Sequence, residues 1–365
     1  MNNFGAVTKD DLQAFVEKTD ELGGPDSPAA LAYWQGFVYK PDVIVDQSLD
    51  PLSAEYFDQQ IALYREISGR QLDPHENELT DFDIQKCFDA PNPYGRQSPR
   101  FVADHARAVC EAIALADLDD HPAVLDLGSG WGLSSELLAF TGCSVMAVDI
   151  NPRFTELAAR RAARMGLEIE ATHSSFDEFE TEKRFDAVFF YECLHHAQKP
   201  WELLRRCGTF VKDDGKLIIS GEPINDIWWK SWGLRLDPLS VYCIRRFGWF
   251  ESGWSMSFLK QMLMDAGFSP AVYEGKGLGG TGVVIARRLA LVQALDLIQQ
   301  LKADQASLTR ERDALRAERS SLVACQASLS AERDALAAQR DALLTSRSWK
   351  VTSPIRRLSS WLRRI

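Results

Sequence analysis

The chain has 365 residues, 45% of them hydrophobic and 25% charged, and carries a net charge of −11. That is material for about two globular domains, and the acidic balance excludes the broad basic face that nucleic-acid binding needs. The positive charge is concentrated at the end, where Arg347, Lys350, Arg356, Arg357, Arg363 and Arg364 stand without a single acid.

The seven cysteines include no Cys-x-x-Cys pair, so neither a zinc site nor a redox motif is expected. Their wide spacing fits a reducing compartment. Met1–Asp10 has no apolar signal core, and no apolar run approaches the ~20 residues that span a bilayer. The expectation is a cytoplasmic chain, able to sit peripherally at the inner membrane face through its basic tail.

Residues 1–95 read as a helical N-terminal extension. Asp10–Lys18 and Ala54–Ser68 have helical periodicity, the second with Tyr56, Phe57, Ile61, Tyr64 and Ile67 on one face. Pro91–Gly95 is a turn-rich break, and Arg100–Ala116 is the next helix. From His121 onward short apolar runs alternate with helices. Val124–Leu127, Ser144–Val148, Glu168–Thr172, Phe185–Tyr191 and Lys216–Ser220 are the expected strands. Ser134–Phe140, Arg153–Met165 and Trp201–Val211 are the expected helices between them. Ser257–Ala266 is a further helix, and Ala271–Glu274 with Gly282–Ala286 a final strand pair. The alternation predicts an α/β fold, a Rossmann-like doubly wound sheet of seven strands within residues 96–289.

Residues 290–346 are expected to form a coiled coil. Leu301, Leu308, Leu315, Leu322, Leu329, Leu336 and Leu343 recur every seven residues. The partner core position is polar, with Gln305, Arg312, Arg319, Gln326, Arg333 and Arg340, so the seam is weak. A second copy, another helix or fold-back are all open as its partner, giving a homo- or hetero-oligomer. Residues 347–365 form a basic tail in which Ile355, Leu358, Trp361, Leu362 and Ile365 share helical spacing. An anionic membrane surface and a partner protein are equal candidates for it.

The first strand ends in Asp126-Leu127-Gly128-Ser129-Gly130-Trp131-Gly132. Glycines there let the chain turn sharply and let a ligand approach bare backbone. The second strand ends in Asp149, where a carboxylate can accept both hydroxyls of a ribose. A strand, a glycine turn, a helix and a strand-end acid together indicate a nucleoside-type cofactor. The third glycine comes one residue earlier than in the dinucleotide fingerprint, which favours S-adenosylmethionine (SAM) over a nicotinamide cofactor.

On these residues the chain resembles class I SAM-dependent methyltransferases. Val124–Gly132 is similar to their motif I and Val145–Asn151 to motif II. Ser174-Ser175-Phe176-Asp177 resembles the acidic loop after strand three, and Phe185–His196 stands in the place of motif IV. The resemblance implies that Asp126, Gly128 and Gly130 line the methionine end of SAM, Asp149 the ribose and Asp177 the adenine. Ser129, Ile150 and Tyr191 complete the expected contacts. A solvated acidic loop explains Asp177 about as well.

Strand four delivers Tyr191-Glu192-Cys193-Leu194-His195-His196 to the same edge. Histidine is suited to removing an acceptor hydroxyl's proton near neutral pH. His195 or His196 is therefore the candidate base, His196 slightly ahead, with Glu192 and Glu222 in support. Orienting the loop is the alternative role. No helical His-x-x-x-His spacing supports a metal, and none is expected. Trp228, Trp229, Trp232, Tyr242, Phe247, Trp249, Phe250 and Trp254 follow, forming either a sugar-binding platform or a core-covering insertion.

Phe189–His196, Gly221–Ile224 and Trp232–Asp237 resemble a methyltransferase subfamily associated with bacterial polysaccharide biosynthesis, and Ser346–Arg356 is similar to a tail that recurs on bacterial glycosyltransferases and sugar methyltransferases of that kind. This implies O-methylation of a sugar or glycan acceptor. A small-molecule or lipid methyltransferase, and a silent scaffold that clusters glycan enzymes through the coiled coil, are the alternatives.

Overall fold

A computed structural model describes residues 6–95, 97–289 and 291–362. The chain divides into two compact units, Met1–Leu291 and Val292–Ile365. The first unit is built on a seven-stranded sheet: β1 (Ala123–Leu127), β2 (Ser144–Asp149), β3 (Ile169–His173), β4 (Phe185–Tyr191), β5 (Val211–Ser220), β6 (Phe268–Tyr273) and β7 (Val283–Arg288). Their spatial order is β6-β7-β5-β4-β1-β2-β3. The first five strands run parallel, and β7 is antiparallel to both β5 and β6. The order reverses beside β1, so the carboxyl edge there is a topological switch point, where open α/β sheets bind ligands.

The strands read as unbroken apolar runs because both faces of the sheet are covered. Leu125, Leu127, Val188, Phe190, Leu217 and Ile219 enter one core; Val124, Ala187, Phe189 and Ile218 enter the other. Before the sheet come α1 (Leu12–Glu21), α2 (Ala54–Ser68) and α3 (Pro99–Ala116). Between and after the strands lie α4 (Leu133–Phe140), α5 (Pro152–Met165), α6 (Pro200–Phe210), α7 (Pro238–Arg246) and α8 (Met256–Asp265). Several of these starts carry a side-chain cap. Ser53 Oγ accepts from Tyr56 N, Ser98 Oγ from Phe101 N, and Asn151 Oδ1 from Arg153 N.

The N-terminal extension belongs to this same compact unit. Four arginines of α5 reach onto its last turns. Arg161, wholly buried, forms a two-pronged pair with Glu136 and donates to the carbonyls of Cys87 (3.0 Å) and Ala90 (2.9 Å). Arg153, Arg160 and Arg164 bind Phe82 O, Gln85 Oε1 and Phe88 O. A buried charge satisfied on every side fixes a specific seam.

The aromatic segment resolves into α7 and a two-stranded ribbon, Trp232–Leu234 paired with Ser252–Trp254. Trp229, Trp232, Tyr242, Phe250 and Trp254 are buried, so the solvent-facing platform is not what most of these rings form. They cover the core and clamp α2. Tyr56 Oη donates to Trp232 O, Trp232 Nε1 to Pro51 O, and Tyr64 Oη to Gly248 O (2.5 Å). Only Trp228, Phe247 and Trp249 keep appreciable exposure.

The second unit consists of α9 (Leu291–Thr345) and α10 (Arg347–Leu362). Among the described residues, no helix is long and apolar enough to cross a membrane. Arg363, Arg364 and Ile365 of the expected amphipathic tail lie outside the described residues, as do the side chains of Leu358, Trp361 and Leu362.

Candidate functional site

The Asp126–Gly132 turn leaves β1 at the carboxyl edge. Its backbone is anchored to β2, with Gly128 N and Ser129 N both donating to Val148 O. Gly128, Gly130 and Gly132 all have positive φ (72°, 48° and 86°). Their surroundings differ. A Cβ on Gly128 would lie 2.7 Å from Cys193 Cβ and 2.9 Å from its Sγ, whereas one on Gly130 would meet nothing within 4 Å. Gly128 is thus required by packing, and Gly130 faces open space above the turn.

Asp126 is buried. Its Oδ2 accepts the hydroxyls of Ser134 (2.7 Å) and Ser135, at the start of α4. Its Oδ1 has no partner, and neither do the buried hydroxyls of Ser129 and Ser220. Burial pushes the Asp126 carboxyl up to about 6 against the two serine hydrogen bonds. A buried orphan acceptor beside an open glycine turn suits an incoming cationic donor such as the ammonium of an amino acid.

Asp149 ends β2. Its Oδ2 accepts from Gly130 N and its Oδ1 from Asn151 N, both at 2.8 Å. Each oxygen keeps a second lone pair. Burial raises this carboxyl also to about 6, against those two backbone donors. Ile150 is half-buried and its carbonyl accepts from His173 Nε2. The N-terminal extension roofs this edge: Asn151 Nδ2 donates to Thr80 O, and Phe82 packs against Trp131 and Phe154. Asp177 is exposed on the turn after β3, while its neighbour Phe176 lies against Gly128.

At the end of β4, Glu192 has φ 50°, a left-handed conformation costing a non-glycine residue on the order of 1–3 kcal/mol. The facing Gly221 accommodates it, since a Cβ there would lie 2.5 Å from Glu192 Cγ. Glu192 Oε2 is 3.1 Å from His105 Nδ1, which is also 2.7 Å from Tyr191 Oη. Burial and the Glu192 charge push the Tyr191 phenol well up. His105 lies on α3 and was not legible as a site residue. Its ring neighbours Tyr94, which in turn neighbours Trp131 of the glycine turn.

Glu222, after β5, acts on the other side of Glu192. It accepts the backbone N–H groups of Cys193 (3.0 Å), Leu194 (2.9 Å) and His195 (3.2 Å), and pairs with His195 Nδ1 at 2.9 Å. Burial raises its carboxyl, but His195 and these donors outweigh burial and hold it below the usual range. Glu222 is therefore a clamp on the loop. His195 is buried between two carboxylates, with Glu251 3.7 Å from Nε2. His196 is less enclosed: Glu78 Oε2 is 3.2 Å from its Nδ1, and Trp249 meets its ring edge-on. Burial lowers its pKa, but Glu78, Glu251 and Glu222 outweigh that and raise it to about 9. His195, His196 and Glu251 each offer one ligand atom within 4.8 Å of the others. That geometry is able to hold a cation, although no metal was expected from the spacing.

The expected residues thus stand at one edge, Asp177 exposed on the turn after β3. A cleft of about 540 Å³ lined by Ala123, Met146, Glu168, Glu170 and Lys183 opens at the opposite, amino-terminal edge of the sheet, away from these groups.

Residues 125–219 match the family model described as a methyltransferase domain. A ubiquinone biosynthesis O-methyltransferase from Xanthomonas axonopodis pv. citri is 34% identical over 150 residues, covering 40% of this chain and 61% of that protein. One from Xanthomonas oryzae pv. oryzae is 33% identical over 152 residues, with the same coverages. The chain therefore spans less than two thirds of the length of these curated relatives. Among solved structures, Burkholderia thailandensis 1,6-didemethyltoxoflavin-N1-methyltransferase with bound S-adenosylhomocysteine is 22% identical. It matches 53% of this chain and 82% of its own, with a TM-score of 0.41. A SAM-dependent methyltransferase from Aquifex aeolicus is 19% identical, matching 57% of this chain and 100% of its own, with a TM-score of 0.42. Residues 125–219 of the present chain are thus similar to a methyltransferase domain.

Proposed function

We propose that the chain is a SAM-dependent O-methyltransferase, and that the reaction takes place at the carboxyl edge between the glycine turn and the end of β4. The observation that carries the reading is the pair formed by orphaned Asp126 Oδ1 and the open space above Gly130. In this reading Asp126 takes the ammonium of the donor, Ser129 contributes a hydroxyl near the turn, and Asp149 receives the ribose hydroxyls on its remaining lone pairs. Ile150 lies beside the ribose position, and Asp177 is the expected but most solvent-exposed contact, toward the adenine. Bound SAM supplies an electrophilic methyl group. The chain's own task is to orient the acceptor oxygen and to take its proton.

His196 is protonated near neutral pH by its carboxylate neighbours, so it removes a proton only after releasing its own. His195, clamped by Glu222 and Glu251, is better suited to hold the loop. His105, paired with Glu192 and Tyr191, joins His196 as a candidate base. The pH profile of kcat separates them: a limb near pH 9 that disappears in His196→Gln assigns His196, and loss of turnover in His105→Gln while His196→Gln stays active assigns His105.

For the acceptor, a sugar or glycan hydroxyl in surface polysaccharide synthesis is the reading supported by the tail and loop resemblances. The surface left for it is small, with Trp249 stacked on Phe247 at 4.8 Å beside His196. A hydroxylated ring is the second reading, supported by the similarity to the ubiquinone biosynthesis O-methyltransferases. Deuterated-methyl SAM, offered with nucleotide sugars, oligosaccharides and dihydroxylated aromatic acids, tests both through the mass of the product. Transfer to none of these classes removes the proposed acceptor assignments.

A further inference from the structure

The helix α9 carries a binding surface that the methyltransferase reading does not use. It runs unbroken from Leu291 to Thr345. Its leucine row, Leu301 to Leu343, is 48–66% exposed at every one of the seven positions. Within the second unit no described residue covers the row, and a regular apolar seam on a long helix calls for a second helix.

The charges beside the seam choose the partner. Taking the leucines as heptad position d, position a holds Gln305, Arg312, Arg319, Gln326, Arg333 and Arg340. Position g holds Asp304, Glu311, Glu318, Cys325, Glu332 and Gln339. Taking them as a instead would put those acids into the core layers, where short carboxylates are desolvated. Arginine tolerates such a layer better, because its aliphatic stem packs while its guanidinium reaches out. In a parallel pair of identical helices, each a residue is flanked by the g residue of the partner copy. Arg312 then meets Glu311, Arg319 meets Glu318, and Arg333 meets Glu332 across the seam. In an antiparallel pair the two g rows face each other, acid against acid. Arg312, Arg333 and Arg340 each pair with the next residue, Asp313, Asp334 and Asp341, on the exposed helix surface. Such pairs contribute little and leave the guanidinium groups available.

We infer that α9 is the interface of a parallel, in-register, two-stranded homodimer, with a leucine seam and Arg–Glu pairs across it. Two strands are favoured over three or four because arginines at every charged a layer need a route to solvent.

Light scattering on the full-length chain at tens of micromolar is expected to give twice the chain mass. Leu315→Asp/Leu329→Asp should give the single-chain mass with the same thermal unfolding of the first unit, which separates loss of pairing from loss of folding. Orientation is read with Leu336→Cys in a chain whose exposed Cys110 and Cys325 are replaced by Ser. Mild oxidation should link the two copies through residue 336. A single-chain mass for the unaltered protein overturns the inference. So does a trimer or tetramer, or cross-linking of Leu301→Cys to Leu336→Cys in preference to Leu336→Cys with itself.

Discussion

Gly128 and Gly130 share the left-handed backbone but are predicted to fail in different ways when given a methyl group. An L-residue in that region costs about 1–2 kcal/mol, so Gly130→Ala should lose about that much, its Cβ meeting nothing within 4 Å. Gly128→Ala adds contacts of 2.7 and 2.9 Å with Cys193. Overpacking of this kind costs about 1–3 kcal/mol more, for a total of about 2–5 kcal/mol. Urea unfolding measures both. SAM affinity should separate them the other way: the Gly130 methyl group stands in the space assigned to the donor, so affinity should fall at least about tenfold, or about 1.4 kcal/mol, with the fold nearly intact. A Gly130→Ala variant that binds SAM as the parent does would refute the placement of the donor over this turn. Gly128→Ala with parental stability would refute the packing argument.

Asp126 and Asp149 both have carboxyls raised to about 6, against about 4 in an unfolded chain. Between those values the folded protein holds more protons than the unfolded one, so these two groups make stability fall as pH rises from about 4 to 6. Asp126→Asn should flatten its share of that slope in urea unfolding of the ligand-free protein; an unchanged slope would contradict the burial assignment. His196 works in the same sense at higher pH. Its pKa of about 9 contributes stability that is complete below about 6.5 and lost as pH rises through 9. Glu78→Gln should move the His196 titration, followed by NMR, toward the ordinary histidine value, and an unmoved titration would exclude Glu78 as the main cause. Tyr64→Phe removes the hydroxyl that donates to Gly248 O and accepts from Asn77 Nδ2, leaving buried partners unpaired. The expected loss is about 1–3 kcal/mol in unfolding free energy; a loss within error of zero would show that the α2 seam does not depend on it.

The sheet was legible because its signals are local. Runs such as Val124–Leu127 and Phe185–Tyr191, the glycine turn and the cap Asn151-Pro152 each announce themselves within a few residues. The strands proved longer than their apolar parts, as with β5, which begins at Val211, paired with Phe185, and crosses a polar stretch at a register shift before Lys216. What could not be read is what long-range packing creates. His105 meets Tyr191 across 86 residues of sequence, and Glu78 meets His196 only because the N-terminal extension folds over the sheet edge. The aromatic segment left a sugar platform and a core-covering insertion both open, since composition does not say what will cover Trp232 or Phe250; α2 does. Glu222 looked like a catalytic partner from its place after β5, and only the three N–H groups it accepts reveal a clamp.

The central claim is that this carboxyl edge holds SAM, and calorimetric titration of the full-length chain tests it most directly. Saturable binding of one SAM per chain in the micromolar range, weakened in Gly130→Ala and not in Leu315→Asp/Leu329→Asp, is the result expected. No heat of binding up to millimolar SAM, with the chain folded, would contradict it.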